Sequence, residues 1–264
     1  MRLGFVGCGN MAAAIIGGIL EKGIVKKEDI KASTKTEASA AKVRENLDIA
    51  CGTDNRETIR DADVVFLAVK PQFCEGVIKE IREEIKENQV ILSIVAGKKL
   101  EWLEAQFGKK CKIIRTMPNT PALVGEGITG VCPNDQVTEK EVKEALVLLR
   151  SFGRADTVTE TILDVVGAVS GSSPAFVFLF IEAMADGAVA EGMPRKQAYE
   201  FAAQAVYGSA KMVLETGMDP GELKDMVCSP AGTTIEGIGV LEERGMRSAV
   251  MESVRACVKK TRQL

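Results

Sequence analysis

Histidine is absent from all 264 residues. That absence excludes a Ser-His-Asp or Cys-His nucleophile system, an HExxH-type zinc site, and an imidazole base working near neutral pH. Proton handling falls to carboxylates, Lys, Tyr, Cys, hydroxyls, water or the substrate itself. A charge excess is missing too: 34 basic against 37 acidic residues leave a net −3, so there is no nucleic-acid footprint. The seven cysteines at 8, 51, 74, 111, 132, 228 and 257 never form a CxxC pair. Their odd number and scatter exclude a disulfide framework and a Cys-rich metal site, and a reducing, cytoplasmic setting is expected. No unbroken apolar run approaches the ~20 residues of a membrane span; Ala175 to Ile181 is the longest, ending at Glu182. Leu3 to Val6 runs straight into a Gly-rich turn, unlike a signal peptide.

Short apolar runs alternating with amphipathic stretches fill the first part of the chain, the pattern of βαβ units on a parallel sheet. Strands are predicted at Arg2–Val6, Ile30–Ser33, Val64–Val69, Val90–Val95 and Cys111–Thr116. Helices are predicted at Met11–Lys22, Glu37–Leu47, Phe73–Lys86 and Leu100–Phe107. After about Thr159 the character changes to helices separated by Gly and Pro breakers, as at Gly192-Met193-Pro194 and Ser229-Pro230. The stretch Pro174–Ala190 is apolar nearly all round and demands burial, in a domain centre or between subunits. The expected fold is α/β: a Rossmann-type doubly wound parallel sheet over 1–159, followed by an all-α domain over 160–264.

Gly7-Cys8-Gly9-Asn10-Met11-Ala12 fits GxGxxG/A between a predicted strand and a predicted helix. Gly7 suits the tight turn, Gly9 a close approach to pyrophosphate, and Ala12 close helix–strand packing, with the helix N-terminus facing the anion. A strand–helix turn without any ligand is the plainer alternative. After the second strand come Ser33-Thr34-Lys35-Thr36, with no carboxylate before Glu37. Three hydroxyls and a cation suit a 2′-phosphate better than a free ribose hydroxyl, so NADP(H) is favoured, with NAD(H) as the second cofactor. Asp29, at roughly the NAD-type sequence distance, precedes the strand. Lys70 in Val69-Lys70-Pro71, and the two-proline run Arg115 to Pro121, fall at later strand ends on the same rim. Met226 to Thr234 precede a helix predicted at Ile235–Glu243, where backbone N–H groups suit a carboxylate. An ordinary N-cap is the plainer reading there too.

Together these motifs resemble one family, pyrroline-5-carboxylate reductase. The resemblance spans GFVGCGNMA at 4–12, AVKP at 68–71, RTMPNTP at 115–121, SGSSPAF at 170–176, GMPR at 192–195 and SPAGTT at 229–234. It implies reduction of the C=N bond of L-1-pyrroline-5-carboxylate to L-proline by NAD(P)H, the last step of proline biosynthesis and a CH–NH oxidoreductase activity. The resemblance implies that the dinucleotide contacts Cys8, Gly9, Asn10 and Met11, then Thr34, then Asn55, and the charge of the loop after the second strand adds Lys35. It also implies contacts at Ala68, Val69, Lys70 and Pro71 and at Ile94, Val95 and Ala96. By the same resemblance Ser229, Gly232, Thr233 and Thr234 hold the substrate, and the catalytic Thr234 hydroxyl meets the ring nitrogen. It further implies a homodimer through the helical domain, extended to a ring of five dimers; from composition, no metal, nucleic acid or membrane partner is expected. The sequence departs from the family's usual Gly at Ser173 and Ala231, and an alanine at 231 is strained if φ there is positive.

Two other readings weigh against this one. A β-hydroxyacid dehydrogenase shares the amino-terminal fingerprint, but its catalytic Lys-then-Asn helix has no counterpart among Pro174, Ala175, Phe176 and Val177. A non-catalytic NADPH-binding regulator has no need of the 229–234 loop.

Overall fold

The computed structural model describes residues 1–263. In chain order the strands are β1 (Leu3–Val6), β2 (Ile30–Ser33), β3 (Ala50–Gly52), β4 (Val64–Leu67), β5 (Val90–Ser93), β6 (Lys112–Met117), β7 (Gly127–Pro133) and β8 (Gly153–Thr157). The helices among them are α1 (Asn10–Glu21), α2 (Glu37–Leu47), α3 (Asn55–Ile59), α4 (Pro71–Ile81), α5 (Leu100–Phe107), α6 (Glu139–Leu149) and α7 (Glu160–Val166). Five more follow: α8 (Ser173–Ala190), α9 (Arg195–Thr216), α10 (Pro220–Val227), α11 (Thr233–Glu243) and α12 (Met246–Thr261). Contacts divide the chain into one unit of Met1–Ser172 with Cys257–Leu264 and a second of Ser173–Ala256.

In the first unit one sheet runs in the order β3-β2-β1-β4-β5-β6-β7-β8, the doubly wound arrangement expected. Strands such as Val64-Val65-Phe66-Leu67 are buried along their whole length, because helices cover both faces. Leu3, Phe5, Ile15, Ile16 and Phe66 lead one apolar layer, and Val65, Leu67, Ile78 and Ile113 the other. Phe5 and Phe66, paired in register across β1 and β4, stack with centroids 4.2 Å apart.

The sheet departs from all-parallel at one strand. β7 lies antiparallel to β6, while β8 returns to parallel with β7. Only the nine residues from Pro118 to Glu126, built around the short 3₁₀ turn Thr120–Val124 and Gly125 at φ 75, separate β6 from β7, whereas a parallel neighbour needs a crossover of a dozen residues or more. β3, three residues long, was too short for periodicity to mark.

In the second unit α8 packs on α9, and Arg195 beside α9's start pairs with Asp186 of α8. Yet the apolar face of α8 is not covered within the chain: Phe178 and Leu179 are 64% and 66% exposed. Of the two expectations for Pro174–Ala190, domain centre or subunit interface, only the second is compatible with that exposure. Helical structure is continuous over Glu160–Ala190, long and apolar enough to cross a membrane by length and composition. Gly, Ser and Pro residues, with Asp164, Glu182 and Asp186, interrupt a purely apolar run without interrupting the helix.

Candidate active site

The ligand crevice of a doubly wound sheet opens at the carboxyl ends of its strands, where chain direction of the crossovers reverses. Here that point lies between β1 and β4. Gly7 follows β1 with φ 90, and a Cβ there would stand 2.6 Å from the Ala68 carbonyl oxygen. Glycine is therefore required twice over, by torsion and by approach. Gly9 is the extended N-cap of α1, offers no side-chain acceptor, and no acid lies in the first turn. Space around its Cα is open, so the helix's free N–H groups and positive dipole end face a cradle that fits a pyrophosphate. Ala12 is buried against the sheet.

Burial, and secondarily Cys51, push the Cys8 thiol up to about 12. It stays neutral, so the turn places no thiolate beside an incoming anion.

The loop after β2 differs from its expected reading. Ser33 is fully buried; its hydroxyl donates to Asn55 Oδ1 at 2.7 Å and faces the Phe5 carbonyl at 3.3 Å. The Thr34 hydroxyl donates to the Thr36 carbonyl at 3.0 Å, and Thr36 caps α2 by accepting from the Ser39 N–H. Local structure thus engages the hydroxyls of this four-residue array, leaving Lys35 as its exposed cation. Lys35 Nζ lies 4.9 Å from the centroid of the Phe73 ring. Asn55, which opens α3, donates to Glu80 Oε2 at 2.9 Å, so its amide is held from both ends.

Ala68 and Val69 are half-buried at the rim, and Lys70 is the extended N-cap of α4 with Pro71 as its first residue. Proline suits that position, since its missing N–H would have no helical partner. Ile94 is half-buried and Ala96 exposed. Val95 is buried in the second apolar layer, so only its backbone is available to a ligand.

Arg115, read in sequence as part of the rim, is structural. It is 4% exposed and pairs with Glu160 and Asp164, each at 2.9 Å. Glu160 also accepts the Leu100 N–H at 2.7 Å. Asn119 of the same run accepts from the Ile128 N–H at 2.8 Å and donates to the Ser170 carbonyl at 3.1 Å. Ser170 belongs to a π-helical turn, Gly167–Ser172, a distortion common at functional sites.

In the second unit, the expected loop precedes α11. Its N-cap is Gly232, not a hydroxyl residue, and no side chain caps the helix. A Cβ on Gly232 would stand 2.3 Å from Ser229 Oγ, so glycine is what lets that hydroxyl overlie the helix start. Ser229 and Thr233 are exposed and Thr234 is half-buried. Ala231 holds φ 55, the left-handed conformation that its alanine disfavours. Ser173 simply opens α8.

A family model described as pyrroline-5-carboxylate reductase dimerisation matches residues 160–264, and one described as NADP oxidoreductase, coenzyme F420-dependent, matches residues 2–97. The pyrroline-5-carboxylate reductase of Escherichia coli K12 is 49% identical over 263 residues, covering 100% of this chain and 98% of the relative. That of Methanosarcina acetivorans is 44% identical, covering 100% and 97%. This chain belongs to the pyrroline-5-carboxylate reductase family. A crystal structure of the Plasmodium falciparum enzyme with NADP bound superposes with a TM-score of 0.90 at 32% identity, covering 100% of this chain and 97% of that one. As a pyrroline-5-carboxylate reductase family member the chain is an NAD(P)-dependent oxidoreductase of a small molecule and a homo-oligomer.

Sequence reasoning did not single out Glu80, Phe73, Glu160 or Asp164. Glu80 meets Asn55 across 25 positions, and Asp164 meets Arg115 across 49; no local pattern encodes such pairs. Phe73 carried one signal, a large aromatic among exposed residues at a helix start.

Proposed function

We propose that this chain reduces the C=N bond of L-1-pyrroline-5-carboxylate to L-proline with NADPH, the last step of proline biosynthesis. What carries the reading is the coexistence, in one family member, of the glycine cradle at 7–12 and the uncapped α11 start at 229–234. The nicotinamide supplies the hydride when bound.

The chain's own task is to bind and orient. Residues 1–159 form the cofactor domain, with contacts from Gly7 to Ala12, Thr34, Lys35, Asn55, Ala68 to Pro71, and Ile94 to Ala96. Residues 160–264 bind substrate and dimerise. The Ser229 hydroxyl and the Thr233 and Thr234 N–H groups hold the carboxylate, helped by the positive end of α11, while the Gly232 N–H donates to the Ser229 carbonyl at 3.0 Å and fixes the loop. The Thr234 hydroxyl accepts from the N–H of the protonated imine. Hydride addition at the imine carbon moves the C=N π pair onto nitrogen and gives the neutral amine, which takes its second proton from water. No side chain of near-neutral pKa is required, in keeping with a chain that has no histidine. NADH serves as the second cofactor through the same cradle. The homo-oligomer is a dimer through the helical domain, extended to a ring of five dimers, and the free cysteines suit a cytoplasmic setting.

Thr234→Ala tests the assignment. Losing one hydrogen bond to a charged group costs about 1.5–3 kcal/mol, so turnover should fall about ten- to a hundredfold with the unfolding midpoint nearly unchanged. Wild-type kinetics in that variant would remove Thr234 from the site.

A further inference from the structure

Lys35 is exposed at the end of β2, and none of its sequence neighbours fixes it. The Thr34 and Thr36 hydroxyls are engaged locally, and the Glu37 carboxylate is taken by Arg44 at 2.5 Å. Among the described residues no carboxylate forms an ion pair with Lys35. A lysine ammonium on its four-carbon stem is otherwise free to sample many positions, yet here it lies 4.9 Å from the Phe73 ring centroid.

That ring is itself well anchored. Phe73 sits in the first turn of α4, its N–H donating to the Lys70 carbonyl at 2.9 Å. Cys74, Ile78 and Ile81 bury the helix against the sheet. The ring remains 49% exposed, so packing alone does not explain an aromatic at this place. Facing the ammonium, its π cloud offers attraction that an aliphatic chain of similar size lacks.

We propose that Phe73 is a specificity-positioning residue, holding the Lys35 ammonium where the 2′-phosphate of a nucleotide is read. The inference rests on the proposed role of Lys35 in the cofactor domain. The ring favours the phosphorylated dinucleotide only, because the partner it holds meets only the phosphate.

Calorimetric binding of NADP⁺ and NAD⁺ to the full-length protein tests it without turnover. Phe73→Leu should weaken NADP⁺ about two- to fivefold, the range of an exposed cation–π contact, and leave NAD⁺ unchanged. Phe73→Tyr should retain the wild-type ratio, and Phe73→Leu added to Lys35→Ala should cost nothing further. Equal weakening of both dinucleotides by Phe73→Leu would overturn the proposal and make the ring a shelf for the shared adenosine. A Lys35→Ala effect on NADP⁺ with none from Phe73→Leu would overturn it while leaving the Lys35 reading intact. No change in Lys35→Ala would instead remove the reading on which it rests.

Discussion

Ala231 carries a β-carbon in a conformation, φ 55, that glycine adopts freely and alanine does not. The strain lies in the loop whose neighbours Ser229 and Gly232 are already in close approach. Ala231→Gly should therefore raise stability by about 0.5–1 kcal/mol in urea unfolding, the relief of torsion exceeding the entropy glycine adds to the unfolded chain. A loss of stability would mean that the β-carbon makes a compensating contact. The same residue illustrates what was readable one position at a time. A departure from the family's glycine was visible in the sequence, but the sign of φ was not, because it depends on how 228–232 close onto α11.

The rim of the sheet illustrates the matter at the scale of elements. Strand ends at Val6, Ser33, Leu67 and Ser93 were predicted within about two residues, because continuous apolar runs bounded by Gly, Pro and polar residues define buried strands. The hydroxyl-rich loop after β2 was legible as composition only; which hydroxyls remained for a ligand depended on the Asn55 and Phe5 contacts, 22 and 28 positions away. The reversal of β7 depended on the brevity of its connection. Arg115 was placed at the rim by its position in a motif and proved to tie β6 to α7 through Glu160 and Asp164. Arg115→Ala leaves two acids beside it unpaired, Asp164 being the more buried, and should cost about 3 kcal/mol in chemical denaturation. Arg115→Lys should recover only part, because one ammonium cannot reproduce a guanidinium fork bonded to two carboxylates. Stability within about 0.5 kcal/mol of wild type in Arg115→Ala would show that the trio contributes little.

Across the sheet-bearing unit, five of the seven cysteines sit in apolar surroundings that disfavour the thiolate. Burial pushes Cys74 up to about 11 and Cys8 to about 12, and it raises Cys51, Cys111 and Cys132 as well. The sign follows from linkage: unfolded thiols ionise near the ordinary value of 9.0 while folded ones stay protonated. The stability they contribute is complete below pH 9 and is lost as pH rises through 9 toward 12. Melting temperature should fall between pH 9 and 11, and Cys74→Ala should make that fall shallower, equivalent to about 1–2 kcal/mol at pH 11. An identical slope in wild type and variant would contradict the assignment. No such step is expected near pH 7, where a chain without histidine has no imidazole to titrate.

The missing imidazole bears equally on the reaction. On the proposed mechanism no imidazole is needed, because substrate and solvent supply the proton, and the enzyme's work is alignment of two bound molecules. The direct measurement is NADPH absorbance followed with purified full-length protein and L-1-pyrroline-5-carboxylate, NADH being run in parallel and the product identified. NADPH should be consumed one for one with L-proline formed, faster than NADH at equal concentration, with a pH profile that follows protonation of the imine. No oxidation of either nucleotide, or oxidation without proline, would contradict the account.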